Sequence, residues 1–118
     1  MNKYKAQPTT VDGIKFDSKR EAERYGELKL LERAGEIRDL VPHPRFALAV
    51  NGFDGQDHHI CLYTADFSYF ELRTHGRSRR WERIVEDVKN PATARRADYV
   101  LRKKLMAAIH GIEIREVF

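Results

Sequence analysis

A chain of 118 residues, 42% hydrophobic and 34% charged, has room for one core of about two secondary-structure layers and none for separate cofactor and substrate domains. Its apolar runs fall short of the roughly 20 residues that span a bilayer, no secretory signal follows Met1-Asn2-Lys3, and a lone Cys61 excludes an intrachain disulfide or a cysteine zinc cage, so a cytoplasmic protein without membrane contact is expected. The net charge of +4 is unevenly placed: residues 1–59 are neutral, while Arg73 to Lys104 carry eleven basic and four acidic side chains, either a footprint for a polyanion or a solvated basic face.

Residues 1–10 show no periodicity and read as a flexible basic arm ahead of a single domain over 11–118. Val11 to Phe16 suits a short hairpin turning at Asp12-Gly13. Ser18-Lys19-Arg20-Glu21 has the form of a capping box, Ala22, Tyr25, Leu28 and Leu31 make an apolar stripe, and Gly35 marks a helix end, so a helix is expected over 18–34. Arg45 to Val50 reads as a strand, 51–55 as a turn, and His59 to Leu72 as one long β-prone run. Arg73 to Arg80 reads as a basic loop and Trp81 to Lys89 as a strand that Asn90-Pro91 stops. Thr93 can cap a second helix over 94–110, Gly111 ends it, and Ile112 to Val117 alternates as a last strand. The succession predicts an α/β or α+β protein with helices packed on a mixed sheet.

Two strands carry acids where apolar residues are expected. In Ile84-Val85-Glu86-Asp87-Val88-Lys89, Val85, Asp87 and Lys89 share one face. In the preceding run Asp66 interrupts an aromatic and aliphatic stretch, and pairing of the two strands makes Asp66 and Asp87 neighbours. Two partly desolvated carboxylates repel, and a hard divalent cation such as Mg²⁺ relieves that cost. A lysine beside the cation can orient the attacking water or steady charge on a phosphate, which is the minimum apparatus for phosphodiester hydrolysis. Glu21 lies in the arc of the first helix that faces the sheet, so it either joins this site or serves only as a capping residue. The alternative for each aspartate is an ion pair with an arginine.

The set Asp66, Asp87-Val88-Lys89 and an upstream helix glutamate resembles the PD-(D/E)xK, or restriction-endonuclease-like, nuclease superfamily along nearly the whole chain. Val11 to Lys19, Glu21-Ala22-Glu23-Arg24-Tyr25, Tyr63-Thr64-Ala65-Asp66-Phe67, Glu86 to Lys89 and the tail Gly111 to Val117 look closer still to a small phage-encoded family within it. The resemblance implies an αβββαβ core and a Mg²⁺-dependent DNA endonuclease, with Mn²⁺ substituting. It implies Asp66, Asp87 and the Val88 carbonyl as metal ligands, Lys89 as the catalytic lysine, and Glu21 as an acid that completes the site. Ala65 stands where the motif has proline. Asp87 rather than Glu86 keeps the two-residue spacing to Lys89. The resemblance also implies a setting in recombination or repair, with branched DNA such as a Holliday junction as one substrate class. Cutting such a junction would need a symmetric homodimer.

DNA contacts are expected from Arg77, Arg79 and Arg80 in the basic loop beside the site, with Trp81 as stacking partner or strand anchor. On the second helix, Ala94, Ala97, Val100, Leu101, Leu105 and Ala108 are expected to pack, leaving Arg95, Arg96, Arg102 and Lys103 to meet phosphates. Lys104 projects into the packed arc, either snorkelling out or reaching the site. The competing functions are a catalytically inactive nucleic-acid-binding protein of the same fold and a basic adaptor for another protein.

Overall fold

The computed structural model describes residues 7–118. Most of the expected basic arm therefore lies outside the described residues, and its last two, Thr9 and Thr10, already belong to a strand. β1 (Thr9–Val11) pairs antiparallel with β2 (Ile14–Phe16). Asp12 and Gly13 join them at φ of 53° and 76°, the pair of positive values a type I′ hairpin turn requires.

α1 (Lys19–Arg33) starts where Ser18 Oγ accepts from the Glu21 N–H at 3.1 Å. It ends in a Schellman motif: Gly35, at φ 81°, donates to Glu32 O, and Glu36 donates to Leu31 O, both at 3.0 Å. Its buried residues are Ala22, Tyr25 and Leu28, three of the four in the expected stripe, with Leu31 partly buried against the same core.

The central sheet is four-stranded, in the order β3 (Ile37–Pro42), β6 (Phe67–His75), β7 (Ser78–Val88), β8 (Arg115–Val117). β3, β6 and β7 are antiparallel neighbours, and β8 runs parallel to β7. The parallel return needs a crossover. That crossover contains a short turn of helix, α2 (Pro91–Ala94), and then α3 (Ala97–His110). A second antiparallel pair, β4 (Arg45–Asn51) with β5 (Asp57–Thr64), is inserted between β3 and β6. With the hairpins set aside, α1-β3-β6-β7-α3-β8 is an αβββαβ succession, and the protein is an α+β fold with helices on a mixed sheet.

Alternation along β6 and β7 builds two cores. Phe67 and Tyr69 sit opposite Glu86 and Ile84 on the face that meets α1, Phe16 and Ile37. Val85 faces the other way, into a cluster with Phe46, Leu48, Tyr63, Met106 and Ile114. No helix among the described residues is long and apolar enough to cross a membrane.

Several elements depart from the sequence expectations for visible reasons. β3 was not expected: Asp39 sits at φ 56° and shifts the register between Arg38 and Val41, which erases the period-two signal. The run 59–72 is two strands belonging to different sheets. It breaks at Ala65-Asp66, where no glycine or proline signals a turn, because the Ala65 N–H donates to Pro44 O and Asp66 O accepts from the His43 N–H. The supposed loop 73–80 is a continuation of β6 and β7, turned only at Gly76-Arg77. Thr93 does not cap the long helix: with Asn90 it forms a capping box around α2, and α3 begins three residues later than expected. The last strand is reduced to its final three residues, while Ile112 and Ile114 pack in the second core.

Candidate active site

Asp87 stands near the C-terminal end of β7 on the face opposite α1 and is only 3% exposed. Asp66 lies at the bend between β5 and β6 rather than within a strand, and that bend turns it onto Asp87. Each acid accepts a backbone N–H from the other's segment. The Asp66 N–H donates to Asp87 Oδ1 at 2.9 Å, and the Val88 N–H donates to Asp66 Oδ2 at 2.7 Å. The Tyr63 hydroxyl donates to Asp87 Oδ2.

Among the described residues, no cation lies within 4.0 Å of Glu21, Asp66 or Asp87. Burial, and then the charges of Glu21 and Asp87, push the Asp66 carboxyl up to about 8. Burial also raises Asp87 against the pull of Tyr63 and Lys89, and raises Glu21, with Asp17 adding to it.

Glu21 is not a reciprocal capping residue here. Among the described residues its Oε2 is buried without a hydrogen-bond partner, and the side chain lines the cavity that holds Asp66, Asp87, Val88 and Lys89. That cavity is about 440 Å³. Lys89 Nζ sits 4.1 Å from the centroid of the Tyr99 ring instead of on a carboxylate. The Tyr99 hydroxyl is the other buried group without a hydrogen-bond partner among the described residues, and burial raises its proton affinity. Arg96 and Arg102 complete the rim, drawn to Asp98 at 3.2 and 3.9 Å.

Glu86, the neighbouring acid, is a different object. It is fully buried on the α1 face, where Arg24 forks onto it at 2.7 and 3.0 Å and the Tyr69 hydroxyl donates at 2.6 Å. Strand alternation thus separates a neutralised structural acid from an unneutralised one in the cavity, as the two-residue spacing to Lys89 implied.

Five of the expected metal or catalytic positions therefore converge, but the DNA-binding set does not. Arg96 and Arg102 reach the cavity. Arg95 is exposed at the end of α2, and Lys103 is tied to Glu116 at 3.2 Å. Lys104 is exposed and lines a separate recess with Lys103 and Glu113, so it neither packs nor enters the site. The expected packed arc of α3 is displaced. Tyr99 and Met106 are its buried residues, Leu105 and Ile109 pack against the core, and Leu101 is 59% exposed. Arg77, Arg79 and Arg80 are not beside the site. Eight rungs of the β6–β7 ladder, about 26 Å, separate the Phe67–Glu86 pair from the turn that carries Arg77.

Sequence reasoning passed over Tyr63, Tyr99 and Asp17 in the cavity wall. Two tyrosines in otherwise apolar settings were the available signal, because a buried phenol asks for a polar partner.

Among the described residues, no three histidine, cysteine, aspartate or glutamate side chains converge closely enough to enclose an ion as they stand. The donor set nevertheless suits a hard cation: carboxylates from α1, the β5–β6 bend and β7, one with an oxygen unpaired among the described residues, while the two rim arginines lean on Asp98. No curated protein and no solved structure matches the chain. Residues 1–116 match the family described as "Protein of unknown function (DUF1064)", and the chain belongs to that family.

Proposed function

We propose that this protein is a divalent-metal-dependent DNA endonuclease. The observation that carries the reading is the meeting of Glu21, Asp66 and Asp87 with Lys89 in one cavity, none of the acids paired to a cation among the described residues. Mg²⁺ held there by the carboxylates would supply Lewis-acid polarisation of the phosphodiester and a more acidic water. The rest of the chemistry falls to the chain. Asp87 accepts from the Asp66 N–H and Asp66 from the Val88 N–H, so their oxygens are placed before any ligand arrives. Lys89 Nζ, free of carboxylate partners, donates to a non-bridging phosphate oxygen as charge builds there. Arg96 and Arg102 at the rim neutralise the flanking phosphates by leaving Asp98. The P–O3′ bond breaks, water contributes the new P–O bond, and a proton passes to the leaving oxygen. A role in recombination or repair is carried by the superfamily resemblance, a cytoplasmic setting by the composition, and both belong to the same proposal.

One observation favours the competing reading, a DNA-binding protein of this fold without turnover. Both oxygens of Asp87 already accept hydrogen bonds, from Asp66 and Tyr63. Incubation with linear, flapped, single-stranded and four-way DNA, in Mg²⁺ and in EDTA, separates the two. The nuclease reading expects Mg²⁺-dependent scission that Asp87→Asn and Lys89→Ala reduce at least a hundredfold, with DNA affinity in EDTA unchanged. Scission by both variants at the wild-type rate would displace the site, and no scission under any metal would leave the binding reading.

A further inference from the structure

The β6–β7 ribbon outruns the sheet that supports it. β3 stops pairing with β6 at Glu71, apart from one Leu72 N–H to Glu36 O bond, and β8 touches β7 only at Glu86 to Val88. Among the described residues, Arg73 to Arg80 therefore form a two-stranded ribbon with no third strand, exposed along its whole length. Its two-residue turn begins with Gly76 at φ 61°, a position that a hairpin of this length reserves for glycine.

Charge on this ribbon is concentrated, and three of its four arginines are uncompensated among the described residues. Arg73 is drawn to Glu71 and Glu82. Arg77, Arg79 and Arg80 have no carboxylate within 4.0 Å among the described residues. Arg80, opposite Arg73, is on one face, Arg79, opposite Thr74, is on the other, and Arg77 is at the tip. A ribbon with cations on both faces and at its end matches a groove walled by phosphates on both sides. From the Leu72–Trp81 rung to the His75–Ser78 rung it projects about 10 Å before the turn, against a depth of about 8.5 Å for the B-DNA major groove. That groove is about 12 Å wide and admits a two-stranded ribbon, whereas the major groove of A-form RNA is too narrow.

We propose that the Arg73–Arg80 ribbon is a duplex-DNA contact remote from the cleavage cavity, entering the major groove about 26 Å, or eight base pairs, from the phosphate at Asp87. This rests on the DNA-directed reading of the protein but not on turnover. It recasts the basic segment as a second anchor on flanking duplex, where the sequence had suggested a clamp at the cut itself.

The test is fluorescence anisotropy with a labelled 30-base-pair DNA duplex in EDTA, from 50 to 200 mM salt. Wild type is compared with Arg77→Ala/Arg79→Ala/Arg80→Ala, whose fold is checked by circular dichroism. Loss of three phosphate contacts should flatten the slope of log K against log salt by about 2.7 and weaken binding at least tenfold at about 100 mM salt. An RNA duplex of the same sequence should bind wild type at least tenfold more weakly and be indifferent to the substitutions. Wild-type slope and affinity in the triple variant would overturn the ribbon contact even if the protein cuts DNA. Equal loss on RNA and DNA would overturn the groove assignment, and absence of binding to either duplex would overturn the proposal altogether. A ribbon-dependent affinity in a protein that never cuts, with any metal, would instead sink only the nuclease reading.

Discussion

Replacing Asp66 by asparagine should make the metal-free protein more stable while removing its activity. The carboxyl is pushed up to about 8 in the folded chain against an ordinary value of 3.8. At pH 7 the unfolded chain therefore releases a proton that the folded chain keeps. Each pH unit between 3.8 and 7 favours the unfolded state by about 1.4 kcal/mol, which sets a ceiling of about 4 kcal/mol on the destabilisation. Water entering the open cavity and movement of Lys89 lower it, and about half that ceiling, ~2 kcal/mol, is the expected gain for the neutral isostere. Asparagine keeps the acceptor for the Val88 N–H, so no backbone group is orphaned.

For a chain of this size the gain corresponds to a rise in Tm of about 8 °C in EDTA at pH 7. The sign fixes a pH window. A carboxyl whose folded value is raised costs nothing below about pH 4, and its cost grows as pH climbs through the interval to about 8. The advantage of the variant must therefore shrink to nearly zero at pH 4. Mg²⁺ should raise the Tm of wild type by mass action and leave the variant unmoved. A variant no more stable than wild type at pH 7 in EDTA, or equally advantaged at pH 4, would refute the claim that burial, reinforced by Glu21 and Asp87, holds the Asp66 carboxyl at a cost to the fold.

Two further substitutions probe the neighbouring groups. Arg24→Leu strands the fully buried Glu86 and should cost about 3–5 kcal/mol by urea denaturation, most of it recovered in Arg24→Leu/Glu86→Leu, since an apolar pair carries no desolvation penalty. Tyr99→Leu should move the Lys89 ¹³Cε and ¹Hε resonances downfield by removing the ring current at 4.1 Å and should cut kcat more than KM, whereas Tyr99→Phe keeps both; unshifted resonances in the leucine variant would remove Tyr99 as the positioning residue for Lys89.

The cluster of acids was more legible in the chain than the architecture around it. Acids in apolar runs stand out because burial of a lone charge is costly, so Asp66, Asp87 and Glu86 announce themselves, and alternation alone separates Glu86 from Asp87. Ser18, Gly35 and the Ala22–Tyr25–Leu28 stripe were equally readable, because each expresses a local rule. The bend at Ala65-Asp66 was not, since its cause is a pair of hydrogen bonds to the distant His43 and Pro44. Nor was the length of the β6–β7 ribbon, where solvent on both faces leaves no hydrophobic period to read. On α3 the apolar residues nearly encircle the helix, so the buried side is chosen by packing against β4 and not by pattern.

Position 86 supplies an internal control for position 87. Both are acids in one strand, both are almost completely buried, and the chain holds 22 lysines and arginines with which to neutralise them. Toward α1 the fold does so fully, with an arginine fork and a tyrosine. Toward the cavity it has two arginines at the rim, yet Arg96 and Arg102 lean on Asp98, and Lys89 rests on an aromatic ring. A carboxylate cluster serving only structure would be expected to capture one of those three cations, as Glu86 captures Arg24. Instead Asp66 accepts from the Val88 N–H and Asp87 from the Asp66 N–H and the Tyr63 hydroxyl, which fixes their positions without a cation from the described residues. That is the arrangement a site needs when the answering charge arrives from outside the chain.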